Sequence, residues 1–154
     1  MLTSRVPAAV DSLLAILRAA PALADALVVD GPPIQLAGNR RLYVGWNPEG
    51  GSAVNLVQDF NAAGARTRDE DFAISCYAEV WSGDTDMQVQ RTAVFSLVAA
   101  VETALRATDA AREAPTLNGA VLWSHLTTGD LSQFQDQEGA RAGLAFTVMC
   151  RARI

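Results

Sequence analysis

Lysine is absent from this 154-residue chain. Its twelve basic residues are all arginine, set against seventeen acidic residues and a single histidine, for a formal net charge of −5. An acidic chain with no basic run is a poor non-specific ligand for nucleic acid, because phosphate neutralisation supplies most of that affinity. Cysteine is scarce too. Cys76 and Cys150 stand alone, outside any CxxC pair, and one histidine does not complete a zinc set. Both are expected to be buried free thiols of a reducing compartment. No run of about 18 apolar residues occurs, so no membrane-spanning helix is expected. Pro7, Asp11 and Arg18 interrupt the stretch behind Arg5, which reads as a helix of the mature protein rather than a signal peptide. Gly50-Gly51 lacks the GxxxxGK[ST] spacing of a phosphate loop.

What the chain does have is apolar content. Half of its residues are hydrophobic, 19% are charged and the mean hydropathy is +0.14, which excludes a disordered tail. The length suits one domain able to hold a core without staples, and no repeat or linker divides it. Val6, Val10, Leu13, Leu14 and Leu17 recur at helical spacing and predict a helix over 4–19, with Ser4 as its cap and Pro21 as its stop. Leu27–Val29 and Leu42–Trp46 are short strand candidates, closed by Asp30-Gly31-Pro32-Pro33 and Asn47-Pro48. From Asn47 to Arg68 no period is sustained, although a short helix or edge strand stays open there. This connection is expected to be mobile in the free subunit and ordered on assembly, since Gly50, Gly51 and Gly64 widen its backbone ensemble.

Phe72–Trp81 alternates cleanly, with Phe72, Ile74, Cys76, Ala78 and Val80 on one face and Ser75, Tyr77, Glu79 and Trp81 on the other. A long amphipathic helix is predicted over Thr85–Ala107, with a Glu102–Arg106 pair one turn apart. Ala120–Leu126 is a further strand, which Leu131–Gln137 continues after a turn or bulge; Glu138-Gly139 reads as a hairpin turn before a closing strand through Leu144, Phe146, Val148 and Cys150. The expected fold class is α+β: a mainly antiparallel sheet of four to five strands, with two principal helices on one face.

Few residues carry chemistry. His125 stands beside Ser124, but neighbours in a strand point to opposite faces, so the two do not form a nucleophile–base pair. Asp69-Glu70-Asp71 is expected as a solvated turn with Arg66 and Arg68 as charge partners. Gln133, Gln135 and Gln137 share one strand face, either as a solvated edge or as a hydrogen-bonding seam with a neighbouring subunit. Trp46, Trp81 and Trp123 are the large aromatics, and Trp81 shares its face with Tyr77. Exposed rings on a sheet mark an interface; a small second core is the competing explanation.

The run Arg68-Asp69-Glu70-Asp71-Phe72-Ala73-Ile74-Ser75-Cys76, the strand end Trp81-Ser82-Gly83-Asp84, the long helix, Val121-Leu122-Trp123, a glutamine-bearing strand, Glu138-Gly139 and Phe146-Thr147-Val148-Met149-Cys150-Arg151 follow in an order that resembles the tail-terminator (tail-completion) proteins of long-tailed phages and prophages. The resemblance implies a structural virion protein, not an enzyme, without cofactor, metal or membrane contact. It implies a homo-hexameric ring that caps the tail tube, ends its polymerisation and joins it to the head connector or neck proteins, after assembly in the host cytoplasm. DNA passes through the lumen of such a ring without specific binding. Contacts are expected from Trp46, Val54, Leu56, Phe60, Arg66 and Arg68 in the long connection, from Tyr77 and Trp81 on the sheet, and from Gln133, Gln135 and Gln137 in the 129–141 hairpin. A head–tail connector at another position is the alternative. Further off stands a small intracellular enzyme or ligand-binding domain, for which a polar pocket holding His125 with an acidic partner would speak.

Overall fold

In the computed structural model, residues 2–34, 37–64 and 66–154 are described, Thr128 by its backbone alone. Helix α1 (Val6–Ala19) comes first, then a 3-10 turn at Pro21–Leu23 and the short strands β1 (Leu27–Asp30) and β2 (Arg40–Val44). Strand β3 (Val54–Phe60), strand β4 (Arg68–Ser82), helix α2 (Met87–Ala104), a second 3-10 turn at Ala114–Thr116 and the hairpin β5 (Trp123–Asp136) to β6 (Gly139–Arg153) follow. The class is α+β, as expected, but the sheet has six strands among the described residues rather than four to five. Its order is β1-β2-β4-β6-β5, with β3 also on β4; β1 and β2 run parallel and every other pair is antiparallel.

The extra strand lies in the connection where the sequence shows no period. β3 pairs along its whole length with the first half of β4, from Val54 opposite Ile74 to Phe60 opposite Arg68. β2 takes the second half of the same edge, from Val44 opposite Cys76 to Arg40 opposite Val80. The two therefore lie end to end along β4, and Ser75 marks the joint: its C=O accepts from Gly45 and Trp46, while its N–H donates to Ala53.

One core serves both helices. Leu13, Leu14 and Leu17 of α1 and Val94, Leu97, Val98 and Val101 of α2 share it with Phe72, Ile74, Cys76, Ala78 and Val80 of β4 and the alternate residues Ala142–Ala152 of β6. Both helices thus cover the same face of the sheet. Arg5, not Ser4, occupies the helical cap position of α1, while Ser4 Oγ accepts from Val6 N at 3.0 Å. Asp86 caps α2 through Val89 N. Cys76 and Cys150 are buried free thiols on the core side, and burial pushes each pKa up to about 12. Arg106 meets Glu102 at 2.9 Å in the expected pair. No helix among the described residues is long and apolar enough to cross a membrane.

Candidate interaction surfaces

The face of the sheet away from the helices carries its own small core, the competing reading of the aromatic residues. On adjacent strands, Arg41, Glu79 and Gly143 stand in one row and Tyr43, Tyr77 and Ala145 in the next. Tyr43 and Tyr77 are stacked with centroids 6.1 Å apart, and the Trp46 indole packs edge-on against both, at 4.9 and 6.1 Å. Tyr43 is 1% exposed and Tyr77 7%, on the face opposite both helices. Tyr77 lies flat because Gly143 beneath it has no side chain: a Cβ there would stand 1.8 Å from Tyr77 Oη. Tyr43 Oη donates to Glu79 Oε1 at 2.8 Å, and the Arg41 guanidinium lies 3.6 Å from the same oxygen. A buried carboxylate so partnered avoids the cost of an isolated charge. Burial pushes the phenol pKa of Tyr43 and of Tyr77 upward.

Beyond this core, the Trp81 ring takes two cations, Arg41 at 4.3 Å and Arg141 at 5.1 Å from its centroid. Trp81, Phe134, Arg141 and the hairpin turn line a cleft of about 450 Å³. Phe134 is 63% exposed. At the same sheet edge, Leu122 and Trp123 are exposed, and His125 is exposed beside Trp123 with ring centroids 5.0 Å apart. Ser124 points the other way and donates to Pro115 O, so the adjacent pair is split as expected. No acidic partner of His125 occurs among the described residues, nor does any group of three His, Cys, Asp or Glu able to hold a metal.

The opposite edge belongs to β3. Val54 is half-buried against the core, but Leu56, Val57 and Phe60 are exposed, Phe60 by 70%. Arg66 is exposed; Arg68 is half-buried, and its Nη1 donates to Gln58 Oε1 at 3.1 Å.

The acidic run is no turn. It opens β4, and its charge partners are Arg151 and Arg153 rather than Arg66 and Arg68. Asp69 accepts from Arg153 Nε at 2.7 Å, and this bond, with a second from Arg151, holds its carboxyl below the usual range. Glu70 points into the helix side and is fully buried, accepting from Arg5 N at 2.9 Å and from the Gln58 amide. It ties the start of α1 to the β3–β4 pair. Its place follows from strand phase: Glu70 is two residues before Phe72, on the same face.

Of the three glutamines, Gln133 and Gln135 share one strand face as expected, and Gln137 does not. A register shift between Thr127 and Gly129 turns Gln133 and Gln135 towards the helices. Gln133 accepts from Arg91 at 2.8 Å and Gln135 donates to Thr85 O at 2.6 Å, so both brace the start of α2 within the same chain. Gln137 is off the strand: Gln137-Glu138 forms the two-residue turn between Asp136 and Gly139. No protein-family model matches the chain, and no curated protein matches it.

Proposed function

We propose that this chain is a structural subunit of a phage or prophage tail, a tail terminator. Six copies form a ring on the end of the tail tube, stop its polymerisation and offer a surface to the head connector. The observation that carries this reading is where the exposed apolar side chains lie. Leu56, Val57 and Phe60 stand on one edge of the sheet and Leu122, Trp123 and Phe134 on the opposite edge, while Ile34, Val89 and Phe95 are exposed elsewhere. Different patches on opposite sides of one subunit make head-to-tail contacts, and such contacts close into rings when the rotation closes. The number six and the tube come from the resemblance in sequence order. The charge suits the lumen, since six copies carry about −30 and give DNA little to adhere to. Its place would be the virion neck, after assembly in the host cytoplasm.

Native mass spectrometry and electron microscopy of the purified chain, alone and with tail tubes, test this. The expected result is a six-fold ring capping tube ends. Rings that bind connector but not tube would move the subunit to another neck position. A chain that forms no ring in either setting would sink the reading.

A further inference from the structure

The free edge of β3 has a definite pattern of open backbone groups. Ser75 N donates to Ala53 O at 3.0 Å, so residue 53 and, by alternation, 55, 57 and 59 turn their N–H and C=O towards β4. Val54, Leu56, Gln58 and Phe60 turn theirs outward. Among the described residues β3 pairs only with β4. Few of the devices that protect edges are present here: β3 holds no proline, the chain holds no lysine, and Asp59 is the one charge on the strand. The edge is also stepped. β1 extends the sheet by one strand beside β2, whereas nothing among the described residues does so beside β3, which leaves a shelf seven residues long.

We propose that this shelf is filled by β3 of a second copy, antiparallel across a two-fold axis at Val57. A single step and its two-fold copy interlock: each β1 falls in line with the other copy's β3. The fourteen-residue β5 forms the whole of the opposite edge and has no such step to match it. The self-pairing also matches side chains. Val54 falls opposite Phe60 and Leu56 opposite Gln58 on the helix side. On the open side Asn55 falls opposite Asp59, and Val57 meets its own copy. Asp59 thus faces an amide, and no like charges oppose each other. Full-length antiparallel pairing of β3 with residues 129–135 would set Asp59 against Asp130, and there Gln133 and Gln135 are already bonded to Arg91 and Thr85. A ladder of this length spans about 23 Å and is small for an interface, so the dimer is weak and concentration-dependent. It is a contact of the free chain and does not rest on the ring reading.

Val57→Cys tests it by position. In this register the two copies of residue 57 form a non-hydrogen-bonded pair with Cα atoms about 4.5 Å apart, within disulfide reach. The native thiols are buried, so oxidation reports on the new one. The expected result is a disulfide-linked dimer at concentrations where Phe134→Cys stays unlinked. Val57→Lys, at a site 59% exposed, sets two cations across the axis. It is expected to return the sedimentation mass to that of a monomer at about 100 μM, with the melting temperature unchanged. Failure of the Val57→Cys variant to link, or unaltered association of the lysine variant, overturns the pairing. Rings on tail tubes without a disulfide in the Val57→Cys variant would remove this contact and leave the ring reading standing; a disulfide in that variant without rings would do the reverse.

Discussion

Gly143→Ala is the smallest change that should disturb the open face of the sheet. The new methyl would stand 1.8 Å from Tyr77 Oη, 2.4 Å from Cζ and 2.8 Å from Cε2, so the ring as a whole has to move, not only its tip. It has nowhere near to go, because Tyr43 stacks on it and Trp46 closes its edge. A tyrosine buries on the order of 150–250 Å², so swinging out about half of that ring forfeits roughly 2–3 kcal/mol at about 25 cal/mol per Å². Alanine repays up to about 1 kcal/mol by stiffening the unfolded chain. The net loss is therefore about 1–2 kcal/mol, read as a lower urea midpoint at constant slope. Tyr77→Ala alone should cost about 2–4 kcal/mol. Adding Gly143→Ala to it should cost nothing more, since the clash has gone. A Gly143→Ala protein within about 0.5 kcal/mol of the parent, or a double variant that loses the sum of both, would show that Tyr77 is not held as described.

Two further outcomes follow from the burial of particular groups. The thiols of Cys76 and Cys150 titrate at about 12 when folded and near 9 when unfolded, so their contribution to stability is complete below about pH 8.5 and is lost as pH rises towards 12. Chemical denaturation between pH 8 and 11 should show this alkaline loss, reduced in Cys76→Ala, and alkylation of the native protein should be slow at both sites; fast alkylation at pH 8 would contradict it. Phe60→Ala should change the stability of the dilute monomer by less than about 0.5 kcal/mol, because the ring is 70% exposed, while impairing tail capping; a loss of several kcal/mol would place Phe60 in the subunit's own core.

Strands buried on one face were legible in the sequence because burial writes alternation into it. β4 and β6 show it over most of their length, and the phase of Cys76 and Cys150 is enough to put both thiols on the core side. β3 was legible only as one of two open alternatives, and the reason is physical. An edge strand has one neighbour and little cover, so few of its side chains need be apolar. On its helix side Gln58 takes a position that would be apolar in a central strand, because its amide is spent on Glu70 and Thr3. Val57 sits in the opposite phase, and the alternation is lost. Of the short helix and the edge strand left open between Asn47 and Arg68, the edge strand is the one present, at Val54–Phe60, its alternation broken by the side chain that serves the buried carboxylate.

The surfaces were less legible than the fold, since they depend on which strands are neighbours. Arg41 and Arg141 are a hundred residues apart, yet both reach Trp81, because β4 lies between β2 and β6. Single-strand phase could place Trp81 and Tyr77 on the open face, but not say whether that face was bare. Tyr43 and Gly143 decide it. One brings a second ring and a hydroxyl for Glu79, the other the missing side chain that lets Tyr77 lie down. Once those rings cover one another, the aromatic excess of the open face no longer argues by itself for a partner. On the sheet, the large apolar residues left exposed lie at its edges, Leu56, Val57 and Phe60 at one and Trp123 and Phe134 at the other, while Val89 and Phe95 are exposed on α2. If the proposed assembly forms, mutations at those edges, more than in the aromatic core, should separate assembly from folding.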